Sequence, residues 1–281
     1  MIKLIATDLD GTLLYPKKKI LLINKLNKKF LSKYTKDGNH LVLVSGRNIP
    51  IAKRMERKFQ SRVDMIGCNG SIIYLNNEII FEDSLDKEKI KNLYEENLLN
   101  ENIGQWIFMT NHHNMIIVPN GMNTLIKVCY RIGMMFQFRY HGSFKFGKRF
   151  LKKEFAKEDT KIYKAMAIYG LGKKACKRAR IAYDDFIQKN GNEFEIMWSN
   201  ESVEFMNKGV NKATALNSII NNYQIEKNEV AVVGDSGNDL PMFESFENSF
   251  VMSHANDEIK QKANTIIDGV YDIEKYLDEN D

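Results

Sequence analysis

An α/β fold follows from this sequence: a doubly wound, mostly parallel sheet, broken once by an inserted domain of mixed α/β character. Three observations predict it. Short, mainly apolar runs such as 41–44, which is unbroken, and 63–66, which carries Asp64, have the length of strands buried on both faces. They are followed by loops and helical patterns, the alternation that builds parallel sheets from strand, loop and helix units. That alternation lapses after about Asp83 and resumes near residue 207, which assigns 1–83 and 207–281 to one domain and 84–206 to the insert.

The elements follow in order. Residues 1–6 form an apolar strand that delivers Asp8-Leu9-Asp10 into Gly11-Thr12-Leu13-Leu14. An amphipathic helix comes next, with Leu22, Leu26, Phe30 and Leu31 at helical spacing, until Asp37-Gly38 breaks it. The run 41–44 is the second strand, Ser45-Gly46-Arg47 its loop, and Asn48-Ile49-Pro50 a helix start with proline in the first turn. A third strand, 63–66, ends in Gly67-Cys68-Asn69-Gly70, and 72–75 pairs with 79–81 as a hairpin around Asn76-Asn77. The insert mixes helical patterns at 86–99, 121–135 and 173–189 with strand-like runs at 106–109, 115–118, 162–169 and 194–198. The opening style then returns: helix 211–222, strand 229–233 ending in Gly234-Asp235-Ser236-Gly237-Asn238-Asp239, a helix, strand 250–252, Ile266-Ile267 and helix 271–278.

Composition narrows the class. At 281 residues, 43% hydrophobic and 27% charged, the chain has the makings of an ordinary globular protein with one large domain or two moderate ones. No stretch approaches the roughly 18 apolar residues of a membrane span. Asp8 and Asp10 fall where the apolar region of a secretion signal would have to continue. Cys68, Cys129 and Cys176 are odd in number and lack CxxC spacing, so a disulfide framework or a zinc site is not expected, and a reducing cytoplasm fits best. Net charge is +5, yet 145–180 alone carries 13 Lys and Arg against three acids. Such a run reads first as a solvated helix face, and second as attraction for an anionic substrate or for nucleic acid.

Asp8 and Asp10, one residue apart, point to the same side of an extended segment as it leaves its strand. Alone, they could be a surface turn or a fragment of a calcium loop. Other residues at strand ends change the balance: Ser45, Asp235 and Asp239, with Lys212 opening the helix before the fourth strand. Acids gathered at one sheet edge suit a hard, oxygen-seeking dication such as Mg²⁺. A hydroxyl and an ammonium beside it suit the oxygens of a phosphoryl group, and a carboxylate there can act as nucleophile, forming an aspartyl-phosphate.

The segments DLDGTLL at 8–14, LVLVSGR at 41–47, Asn69-Gly70, KGVNKATAL at 208–216 and GDSGNDLPMF at 234–243 stand in an order that resembles the haloacid dehalogenase-like superfamily, and within it the Cof-type phosphatases. The resemblance spans the chain and implies a Rossmann-like catalytic core with an inserted α/β cap at 84–206. It implies Asp8 as nucleophile and Asp10 as general acid/base. Ser45 and Lys212 would hold phosphoryl oxygens, with Leu9, Gly46, Arg47, Asn69 and Asn238 also lining the phosphate and substrate site. Asp8, Asp10, Asp235 and Asp239 would form the metal set, Asp10 through its main-chain carbonyl, with Mg²⁺ as cofactor.

Two departures stand out: Lys212-Ala213 where relatives carry Lys-Gly, and Met252-Ser253-His254-Ala255 where they carry Met-Gly-Asn-Ala. The pair His112-His113 reads as part of a hairpin turn, since neighbours on a strand point to opposite faces. The resulting expectation is a cytoplasmic Mg²⁺-dependent phosphatase of a small phosphorylated metabolite, a sugar phosphate first, monomeric or weakly dimeric, with neither nucleic acid nor membrane as partner. A phosphomutase and a non-catalytic polyanion binder using 145–180 are the rival readings.

Overall fold

A computed structural model describes residues 1–16, 23–120 and 144–277, and divides the chain into two compact units. One comprises Met1–Phe81 with Asn211–Asp281, the other Glu82–Val210. The junctions lie at 81/82 and 210/211, where the sequence placed them at 83/84 and 206/207.

The first unit is built on β1 (Leu4–Asp8), β2 (His40–Val44), β3 (Asp64–Gly67), β4 (Ile72–Leu75) and β5 (Glu78–Glu82). The second unit contributes β6 to β11, described below, and the chain then adds β12 (Val230–Gly234), β13 (Asn248–Met252) and β14 (Thr265–Ile267) to the first sheet. The sheet order is β14-β13-β12-β1-β2-β3-β4-β5. Every pairing from β14 to β3 is parallel, and β3 pairs with β4 antiparallel. The chain steps outward from β1 through β2 and β3 on one side, and through β12, β13 and β14 on the other. The winding thus reverses between β1 and β12, the place where open α/β sheets keep their ligand crevice. Val, Ile and Leu fill these central strands because both faces are covered, as continuous apolar runs require.

Helix starts are set by side-chain caps. Asn24 accepts from the Leu26 amide at 3.0 Å and opens the helix Lys25–Lys36. The apolar stripe expected on Leu22, Leu26, Phe30 and Leu31 is rotated: Asn27, Phe30, Leu31 and Tyr34 are buried and Leu26 is exposed, while Leu22 lies outside the described residues. Asn27 decides the rotation, since its amide donates to the Leu13 carbonyl and its oxygen accepts from the Tyr271 amide, which satisfies a polar side chain inside. Asn211 accepts from the amides of Ala213 and Thr214, and Thr214 Oγ1 accepts from the Asn211 amide, a reciprocal cap that fixes Lys212 in the first turn of the helix Lys212–Tyr223. The terminal helix expected at 271–278 is a 3₁₀ segment, Val270–Tyr276, and residue 278 lies outside the described residues.

The second unit holds β6 (Gln105–Thr110), β7 (Met115–Pro119), β8 (Phe144–Phe146), β9 (Ile162–Ile168), β10 (Phe194–Ser199) and β11 (Ser202–Asn207), ordered β10-β11-β9-β6-β7-β8. All pairings are antiparallel except β7 with β8. Its core is aromatic: Tyr94 meets Trp106 and Phe108 edge-on, and Phe205 packs edge-on against Phe186 at 5.0 Å. β8, β11 and the helix Lys148–Phe155 were not foreseen, and the helix expected at 121–135 and Cys129 lie outside the described residues. His112 and His113 sit in the turn between β6 and β7. They face a buried Glu154, which also accepts from Thr110 Oγ1 and Lys157 Nζ, both at 2.7 Å, while His112 Nδ1 lies 2.9 Å away. Within the basic stretch Lys164 is buried rather than solvated, paired with Glu204 at 2.8 Å. Cys68 and Cys176 carry no disulfide. Among the described residues no helix is long and apolar enough to cross a membrane.

Candidate active site

The end of β1 and the end of β12 lie side by side, as the register Thr7↔Val233 shows, so Asp8 and Asp235 emerge at the point where the winding reverses. Between them the chain turns at Gly11, with φ at +90°, a value open to glycine at little cost. A Cβ there would stand 2.2 Å from Asp235 Oδ2, so the Asp235 carboxylate packs directly on the main chain of residue 11. Thr12 Oγ1 donates to Asp235 Oδ1 at 3.0 Å.

Lys212 reaches in from its capped helix and is enclosed completely. Its Nζ donates to Asp8 Oδ1 at 2.7 Å and to Asp239 Oδ1 at 2.6 Å. The other oxygen of Asp239 accepts from the amides of Asp235 and Ser236 at 2.9 and 3.0 Å, so Asp239 ties the lysine to the loop that carries Asp235. Oxygens of Asp8, Asp235 and Asp239 lie within 4.8 Å of one another.

One ammonium thus bonds two members of a group of three carboxylates. Burial pushes Asp8 well above the ordinary carboxylate range; Lys212 pulls it down, and Asp239 and Asp235 push it further. Burial likewise raises Asp239 against the pull of Lys212, with Asp235 adding to the rise. For Lys212 burial acts downward, but Asp239 and Asp8 outweigh it and hold the ammonium above the usual lysine range. The negative charge exceeds what one lysine offsets. An all-oxygen donor set with excess negative charge is the chemistry that a hard dication such as Mg²⁺ satisfies, so the residues present fit that ion.

The remaining expected residues join the same network. Asp10 is gripped by the Arg47 guanidinium through Nε and through Nη2, the latter 2.5 Å from Oδ1. Ser45 is buried after β2, its Oγ accepting from the Arg47 amide at 3.1 Å and its carbonyl from the Asn69 amide at 3.0 Å. Gly46 lies in the chain between them. Cys68 and Asn69 both adopt positive φ, 51° and 60°, which folds the chain after β3 back toward the site. Asn69 Oδ1 accepts from Asn238 Nδ2 at 3.3 Å, and Asn238 Oδ1 accepts from Ser236 Oγ at 2.8 Å. The Leu9 side chain is buried in the core, which leaves only its main chain for any contact at the site. Thr12 was missed by sequence reasoning although it stands inside the first quoted segment. His254 is placed beside Asp235, with Nε2 3.7 Å from Oδ2, and stacks on Tyr15.

A family model described as haloacid dehalogenase-like hydrolase matches residues 5–273. The 5-amino-6-(5-phospho-D-ribitylamino)uracil phosphatase YcsE of Bacillus subtilis (strain 168) is 26% identical over 269 residues, covering 95% of this chain and 90% of that protein. The structure of a haloacid dehalogenase-like hydrolase from B. subtilis shares the fold with a TM-score of 0.78 at 21% identity, over 98% of this chain and 100% of that one. The HAD subclass IIB sugar phosphatase BT4131 does so with a TM-score of 0.75 at 18% identity, over 98% of both chains. At such identities the structural likeness speaks for the fold alone.

Proposed function

The chain belongs to the haloacid dehalogenase-like hydrolase family and is a phosphatase within it; on that premise we propose that it hydrolyses a small phosphorylated metabolite, a sugar phosphate first, with Mg²⁺ and through a phosphoryl-enzyme on Asp8. One observation carries the reading: Asp8, at the end of β1, shares Lys212 with Asp239 and lies within 4.8 Å of Asp235. That arrangement supports a carboxylate nucleophile beside positive charge that can receive phosphoryl oxygens.

In this reading an Asp8 oxygen attacks phosphorus as the bond to the leaving oxygen breaks, and Asp10 gives that oxygen its proton. Asp10 then takes a proton from the water whose oxygen attacks phosphorus, the bond to Asp8 breaks, and inorganic phosphate leaves. Arg47, which grips both oxygens of Asp10, orients that carboxyl. Lys212 and Ser45 hold phosphoryl oxygens, and Asn69 and Asn238 line the same mouth. Asp8, Asp235 and the Asp10 main-chain carbonyl would hold Mg²⁺, which supplies positive charge to the phosphoryl oxygens when bound. Asp239 supports that set through Lys212 and the Asp235 amide. In this reading the unit Glu82–Val210 carries the side chains that choose among organic parts of the substrate.

The test is phosphate release from sugar phosphates, nucleotides, FMN and pyridoxal phosphate, with and without Mg²⁺, by the natural chain and by Asp8→Asn. Mg²⁺-dependent release of free phosphate is expected, with none above background in Asp8→Asn at an unchanged circular dichroism spectrum. Full activity in that variant, or isomerised sugar phosphate in place of free phosphate, would overturn the reading.

A further inference from the structure

His254 stands in the loop after β13 and Tyr15 in the loop after β1. These two strands flank β12 on its two sides, so the loops meet across the end of the strand that brings Asp235 into the site. The two rings stack with centroids 3.8 Å apart and planes 10° from parallel. Nε2 of His254 then lies 3.7 Å from Asp235 Oδ2, too close for a water between them and just beyond direct hydrogen-bond reach.

Asp235 is therefore held on three sides. Thr12 donates to Oδ1, the main chain of Gly11 lies against the carboxylate, and the imidazole faces Oδ2. Thr12 alone leaves the carboxylate a rotation about its last torsion. An imidazole against the opposite oxygen narrows that rotation by contact, provided that the ring itself is fixed. A flat stack on Tyr15 fixes it, since an aromatic pair has few torsions and a preferred separation.

We propose that the Tyr15–His254 stack is a positioning device for Asp235, holding its carboxylate toward Asp8 and Asp239 and so tightening the hold of the trio on a divalent cation. The proposal rests on the reading of that trio as the cation site. Groups that orient a metal-ligating side chain change affinity by about ten- to a hundredfold when removed.

The experiment is calorimetric titration of Mn²⁺ into the full chain at one fixed pH, without substrate, for the natural chain and for Asp235→Asn, His254→Ala, His254→Gln, Tyr15→Phe and Tyr15→Leu. Asp235→Asn should lose binding. His254→Ala should weaken it about tenfold or more. His254→Gln should regain part of the loss, because its amide nitrogen can face the same oxygen. Tyr15→Phe keeps the ring and should bind like the natural chain, whereas Tyr15→Leu should bind more weakly. If Asp235→Asn loses binding while His254→Ala and Tyr15→Leu stay within twofold of the natural chain, the positioning role is overturned and the cation site stands. If the natural chain takes up no Mn²⁺, or Asp235→Asn binds as well as it does, the cation reading falls and this inference with it.

Discussion

Replacing Lys212 with methionine keeps the length of the side chain and deletes its charge. The ammonium has no exposure and lies 2.7 Å from Asp8 and 2.6 Å from Asp239, whose side chains are 7% and 0% exposed. Water cannot take its place at Asp239 and reaches Asp8 only marginally. Breaking a buried pair by removing one partner costs about 3–5 kcal/mol, because a charge remains in a medium that solvates it poorly. Two carboxylates lose their partner here, but both already stand above the ordinary carboxylate range, so proton uptake relieves one of them. The loss is therefore nearer to one orphaned charge than to two. Urea unfolding followed by circular dichroism, with chelator present, should show a loss of about 3–5 kcal/mol, and a thermal midpoint lower by roughly 6–20 °C for a protein of this size. Adding Asp239→Asn should restore part of it, since the neutral amide still offers an acceptor to the amides of Asp235 and Ser236. A loss below about 1 kcal/mol, the level of an exposed ion pair, would refute the reasoning.

Two further predictions follow from single contacts. Gly11→Ala places a methyl 2.2 Å from Asp235 Oδ2 on a backbone at φ +90°, and should cost about 1–3 kcal/mol in urea unfolding while weakening Mn²⁺ uptake; a natural midpoint would contradict the close packing. Burial pushes Glu154 up, but the hydrogen bonds from Lys157, Thr110 and His112 outweigh it and hold the carboxyl below the ordinary range. A carboxyl lowered in the folded state adds stability above its unfolded value of about 4.3, and that stability drains away as pH falls through the folded value. Glu154→Gln should thus unfold more easily than the natural chain at pH 7, with the gap closing below about pH 4; a gap that stays constant down to pH 3 would rule the network out as its source.

The parallel sheet was legible because buried parallel strands announce themselves as short apolar runs; Ser45 follows its run directly, and Asp8 and Asp235 stand one residue beyond theirs. β11 escaped for the opposite reason. Its Glu204 points inward and makes the segment read as polar, and the Lys164 that neutralises it lies 40 residues away. The helix Lys148–Phe155 buries only Leu151 and Glu154, too little apolar surface to set a period. Leu26 looked like part of a stripe until Asn27 found partners inside. Within the site, the acids were legible as residue types but their division of contacts was not. Thr12 meets Asp235 across 223 residues of chain, and the placing of His254 beside the same carboxylate depends on which loops flank β12.

The first unit is assembled from two stretches of chain with Glu82–Val210 between them. During synthesis β1 therefore emerges long before β12, its neighbour on one side, and Asp8 long before Lys212. At 5–20 residues per second the intervening segment takes roughly 6–26 s to make. Through that interval the second unit, continuous in sequence, can close its own aromatic core, while β1 keeps one edge without its native neighbour. The nascent chain is thus most prone to mispairing between the appearance of β1 and that of β12, and a truncation anywhere before residue 230 leaves that edge open for good.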